Sequence, residues 1–128
     1  MKSIAWNDWG LLVLRLGAGA MMLTHGWPKL MSYQESKDSF MDFMGLGPEL
    51  SLAFTILAEF FCALLVVAGI GTRLAAFPIA FTMGVAAFVA HKGDPFGDKE
   101  FALLYGFCFL ALTFTGGGKY TLLKAFGR

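Results

Sequence analysis

Residues 9–30, WGLLVLRLGAGAMMLTHGWPKL, decide how this chain is read. As a helix rising 1.5 Å per residue they reach about 33 Å, enough to cross a bilayer core of about 30 Å. Arg15, His25 and Lys29 nevertheless lie within or at the end of this apolar run. Ionisable groups are costly in hydrocarbon, so a helix of this kind must turn them toward protein or water. The steps Arg15, Ala18, Met22, His25, Lys29 are of three or four residues and define one helix face. That face is expected to look inward.

Three further apolar stretches follow, at about residues 50–70, 74–90 and 101–118, the last continuing through Gly116–Gly118 toward Tyr120. Glu59 interrupts the second, and His91 and Glu100 flank the charged loop between the third and fourth. The expectation is an all-α polytopic membrane protein: one domain over residues 1–128, a four-helix transmembrane bundle. Hydrophobic residues make up 57% of the 128 positions and charged ones 15%, with a mean hydropathy of +0.65. A soluble domain this small leaves too much of its surface in water to hide that apolar content. The first span lacks a short apolar core followed by a small-residue cleavage site, and is read as retained.

Trp6 and Trp9 mark one membrane interface, and Trp27 and Tyr33 the other. Between the first two spans, Phe40, Met41, Phe43 and Met44 recur at helical spacing among polar residues. They predict a short amphipathic interfacial helix, ended by Gly45-Leu46-Gly47-Pro48. Thr72 is expected to cap the third span and Asp98 the fourth. Four spans put both termini on one side. Basic residues favour a cytoplasmic location for them by five to four (Lys2, Arg73, Lys119, Lys124 and Arg128 against Lys29, Lys37, Lys92 and Lys99).

The net charge of +1 and the lack of any basic run give no support for nucleic-acid binding. Cys62 and Cys108 lie mid-span and far apart, without a CxxC, and read as small buried hydrophobes. Two histidines on different helices could ligate haem, but no other haem signature accompanies them. The ligand spacing of familiar zinc sites is absent, so no metal site is expected.

The depths of Arg15 and Glu59 in their spans leave a gap that a guanidinium could bridge, which predicts an Arg15–Glu59 pair near mid-membrane. His25, Lys29, His91, Asp94 and Glu100 are expected to converge at one end of the bundle. A neutral imidazole and a carboxylate in a half-dry site can pass protons or hydrogen-bond a quinone carbonyl. The candidate site is therefore Arg15, His25 and Glu59 as reacting groups, with Lys29, His91 and Glu100 helping to bind a quinone headgroup.

Arg15, then His25-Gly26-Trp27-Pro28-Lys29-Leu30, then Phe43-Met44-Gly45-Leu46-Gly47-Pro48, Glu59 and Gly69-Ile70-Gly71-Thr72-Arg73-Leu74-Ala75-Ala76 together resemble the DoxX family of small membrane proteins. The resemblance runs through nearly the whole chain and is weakest in the fourth span. It implies a compact four-helix membrane protein of the bacterial inner membrane. Relatives of the DoxD type form the membrane subunit of a thiosulfate:quinone oxidoreductase, and others belong to oxidative-stress or thiol-redox complexes. Arg15, His25, Lys29 and Glu59 fall on the family's recurrent polar positions.

The first expectation is thus a quinone-linked oxidoreductase membrane subunit, taking electrons from a redox partner subunit or from a small reductant at the outer face, because the chain carries no recognisable flavin, iron–sulfur or disulfide centre. A small proton or anion transporter or channel, which would need a homo-oligomer, is the alternative of a different class. A non-catalytic scaffold for a redox complex is the third.

Overall fold

The computed structural model describes residues 6–121. All regular structure among them is helical. The elements are α1 (Trp6–Met31), a single turn α2 (Tyr33–Ser36), α3 (Pro48–Ala68), α4 (Thr72–Ala90) and α5 (Phe96–Thr115). α3 and α4 are long and apolar enough to cross a membrane. Each contains a π-helical stretch, Leu57–Cys62 in α3 and Ala86–Ala90 at the end of α4. Such insertions widen a helix locally and often accompany functional positions.

Close approaches fix the topology. Gly19 lies against Ala63 and Val67, and Gly26 against Glu59 and Phe60, so α1 and α3 run antiparallel. Gly117 touches Thr72 and Arg15, while Gly106 faces Met83. α5 is therefore antiparallel to both α4 and α1. The four long helices alternate up and down, with Asp8 at one end beside Lys119. Their shared core is Met22 from α1, Ala58, Ala63 and Val66 from α3, Ala75, Ala76, Ile79 and Met83 from α4, and Phe109 and Leu112 from α5. Alanine dominates the α3–α4 contribution, which lets those backbones come close.

Several local expectations are corrected. Phe40–Met44 form no helix: the chain is irregular there, with Met44 at φ 53°. Asp42 accepts a bond from the Gly47 amide and the Ser51 hydroxyl one from the Phe43 amide, giving the segment partners that a helix would otherwise supply. α4 begins after Gly71, and the Thr72 hydroxyl is buried without a partner rather than capping. α5 begins at Phe96, placing Asp98 inside its first turn, where a carboxylate suits the helix dipole. It stops at Thr115 instead of running toward Tyr120, because Gly116 and Gly118 adopt positive φ. Residues 116–121 then fold back over the start of α1, where Tyr120 packs on Trp9 with ring centres 4.5 Å apart.

Candidate functional site

The buried face of α1 is Arg15, Gly19, Met22 and Gly26. It is rotated from the expected Arg15–Ala18–Met22–His25–Lys29 face, and the glycines are the reason. A Cβ at Gly26 would lie 2.5 Å from the Glu59 carbonyl oxygen, and one at Gly19 2.5 Å from a Val67 methyl. α1 can press its backbone onto α3 only along that line. The contact sets the register, placing Glu59 opposite Gly26 and therefore about 16 Å along α1 from Arg15.

The Arg15–Glu59 pair is thus not formed. Glu59 is 4% exposed and binds Lys29, with Nζ 2.7 Å from Oε1. Lys29 also reaches the His25 carbonyl at 3.4 Å. Its side chain keeps 31% of its surface open while that of Glu59 keeps 5%. The pair is anchored on its acidic side and accessible on its basic side.

Arg15 is 2% exposed and spends its donors on carbonyls. Nε donates to Val66 at 3.0 Å and Nη2 to Val67 at 2.9 Å. Nη1 donates to Tyr120 at 2.8 Å and to Gly117 at 3.3 Å. Val66 and Val67 end α3 in a Schellman turn, with Gly69 at φ 80° and the Ile70 amide bonded to Leu65. The guanidinium adds a second donor to the Val66 carbonyl, which already accepts the Gly69 amide, and gives the Val67 carbonyl a partner, placing positive charge at the negative pole of the helix. A planar fork of five donors suits this work, and an ammonium does not.

Around the Lys29–Glu59 pair the structure adds a residue that sequence reasoning missed. The Tyr105 ring meets the His25 ring edge-on at 5.4 Å and stacks on Phe109 at 6.4 Å. A hydroxyl in the middle of an apolar stretch was the available signal, since a buried phenol seeks a polar partner. Lys29, Glu59, His25 and Tyr105 together offer an ammonium, a carboxylate, an imidazole and a phenol at one place between α1, α3 and α5.

His91 and Asp94 instead pair with each other at 3.0 Å in the α4–α5 loop, both side chains more than 40% exposed. Glu100 is exposed, and its side chain makes no hydrogen bond or ion pair among the described residues. Of the groups expected to converge, the structure joins Lys29 to Glu59 and sets His25 against Tyr105.

The DoxX family profile matches residues 10–92, covering α1 through α4, and the chain belongs to that family of membrane proteins. It is 32% identical over 121 residues to inner membrane protein YqjF of Escherichia coli, covering 91% of each chain. It is 32% identical over 128 residues to an uncharacterized protein of Haemophilus influenzae, covering 94% of this chain and 93% of that one. Inner membrane protein YphA of E. coli is 27% identical over 137 aligned positions, covering 95% and 98%. No solved structure matches.

Proposed function

We propose that the protein is the membrane subunit of a quinone-linked oxidoreductase, built as a four-helix transmembrane bundle with cytoplasmic termini. The observation that carries the reading is the Lys29–Glu59 pair at 2.7 Å, buried at its carboxylate and open at its ammonium. An ion pair held inside a membrane protein has a cost that leucines at both positions would avoid. Retaining it favours a role in chemistry.

A quinone headgroup needs hydrogen-bond donors for its carbonyls and a route for protons. The residues fit. Lys29 Nζ and the exposed edge of His25 are donors of suitable reach, and the phenol of Tyr105, whose ring meets that of His25, is a third. When bound, a quinone supplies acceptance of two electrons and two protons. Lys29 orients the headgroup through a charge-assisted bond. Glu59 holds Lys29 in place and takes up or releases a proton, and His25 relays protons to the water-exposed end. Arg15 anchors α1 to the end of α3 in this reading and does not touch the headgroup. Electrons come from a partner redox subunit, and a homo-oligomer is the expected assembly.

The test is extraction in native lipid, followed by quantification of bound quinone and identification of co-purifying subunits. Stoichiometric quinone in the wild type, lost in Lys29→Met/Glu59→Leu while the variant still folds, would support the proposal. A wild-type protein carrying neither quinone nor a redox subunit would sink it and shift weight to transport or scaffolding.

A further inference from the structure

α3 and α4 do not close on each other along their whole length. A cleft of about 340 Å³ lies between them, roofed by Phe40, Met41, Phe43 and Leu46 of the irregular segment before α3. On α3 its wall follows one helix face, Ser51, Thr55, Ala58 and Cys62. Part of that wall is the π-helical stretch, and Pro78 of α4 lies on the other side. Two helix irregularities therefore border the same opening.

The wall is almost wholly apolar, and its few hydroxyls are already engaged with the backbone. The Thr55 and Thr82 hydroxyls donate to carbonyls of their own helices, and the Ser51 oxygen accepts the Phe43 amide. The walls also run out onto the apolar surface: Phe54, Leu57 and Phe81 border the cleft and are about half exposed. In a membrane protein that surface meets lipid, so the cleft is continuous with the bilayer. From Ser51 to Cys62 it extends about 16 Å, close to the 15 Å or so of a single hydrocarbon leaflet. One end is pinned at the interface by the charged neighbours of its roof, Lys37, Asp38 and Asp42.

We propose that this cleft holds one acyl chain of a membrane phospholipid as a resident ligand, with the headgroup at the interface beside residues 37–43. The match is of length, polarity and direction of entry. An unfilled cavity of this size would forfeit the dispersion contacts of its lining, and water finds few partners there. The inference stands independently of the quinone reading, which concerns Lys29 and Glu59.

The experiment is photo-crosslinking of the full-length protein in phosphatidylethanolamine–phosphatidylglycerol liposomes doped with a phospholipid carrying a diazirine midway along one chain. Crosslinks are mapped by peptide mass spectrometry. Labelling at Thr55–Cys62 and Pro78–Thr82 is expected to exceed, several-fold per residue, that at Phe107 and Phe114, which are exposed on α5. Thr55→Phe/Thr82→Phe, confirmed as helical and monodisperse, is expected to lower cleft labelling to the α5 level. Cleft labelling no higher than α5 in the wild type would overturn the proposal, including the case in which a second copy of the chain fills the opening. So would displacement of the label, beyond simple dilution, by a long-chain isoprenoid quinone.

Discussion

Gly26 lies so close to Glu59 that its missing side chain is part of the site: a Cβ there would stand 2.5 Å from the Glu59 carbonyl oxygen and 2.6 Å from its carbon. The contact is backbone against backbone, and neither side can rotate away. It holds the Glu59 turn where Lys29, three residues farther along α1, can reach the carboxylate.

Gly26→Ala is therefore expected to destabilise by about 1–3 kcal/mol, the range for overpacking a tight contact. Gly19→Ala should cost less, because its nearest obstacle is the Val67 side chain rather than a peptide group. Gly17→Ala has open space and should be neutral or gain up to about 1 kcal/mol from helix propensity. Thermal unfolding of the three variants in one detergent checks the ranking, and equal losses at all three would contradict it.

A double-mutant cycle distinguishes the observed ion pair from the one the sequence suggested. Lys29→Met alone strands a buried carboxylate and is expected to cost about 3 kcal/mol, the low end for breaking a buried pair because Lys29 is partly wet. Lys29→Met/Glu59→Leu should recover most of that loss. Arg15 and Glu59 should show a coupling energy within about 0.5 kcal/mol of zero, as separated sites do.

Arg15→Lys is expected to be nearly as damaging as Arg15→Met, about 3 kcal/mol or more, since one ammonium cannot serve four carbonyls on two segments. Limited proteolysis offers a second readout. Both variants should become more sensitive around residues 116–121, and unchanged cleavage would mean that Arg15 does not hold that segment.

His91→Ala should change stability by less than about 1 kcal/mol, because its bond to Asp94 is exposed on both sides. A loss of several kcal/mol in a denaturant titration would give His91 a partner that the described residues do not contain.

Outside the long helices, desolvation first, then the charge and hydrogen bond of Glu49 and the charge of Asp38, push the Tyr33 phenol above its ordinary value. A group whose folded pKa is raised stabilises the fold below the unfolded value, and this contribution is lost as pH rises through the folded value. Ultraviolet difference titration against Tyr33→Phe should show late ionisation at this position. Glu49→Gln should move it earlier.

Helix content was legible in the sequence because 20-residue apolar runs bounded by glycine, proline and charge leave few alternatives. Lys29 and Glu59 were both visible as site candidates, yet their partnership was not. Depth arithmetic assumed parallel, untwisted spans, and a shift of eleven residues along α1 moved Glu59 from Arg15 to the neighbourhood of Gly26. The spacing of Gly19 and Gly26, one heptad apart, was the available clue to the contact line. Tyr105 lies in an apolar run with no charged neighbour in sequence to single it out, and its contact with His25 exists only in the fold. The amphipathic reading of Phe40–Met44 named apolar residues that do share a task but gave them the wrong backbone, since Phe40, Met41 and Phe43 roof a cleft through loop geometry.

By itself the sequence determined an all-helical, apolar chain of the DoxX family, with charged groups too deep in its runs to be incidental. Composition and periodicity act locally, and those properties are local. Tertiary structure alone decided which charge meets which: Lys29 with Glu59, Arg15 with the carbonyls that close α3. Those choices depend on helix register and rotation, which are set where two backbones touch. Gly26 is one such place, where a Cβ would stand 2.5 Å from the Glu59 carbonyl oxygen.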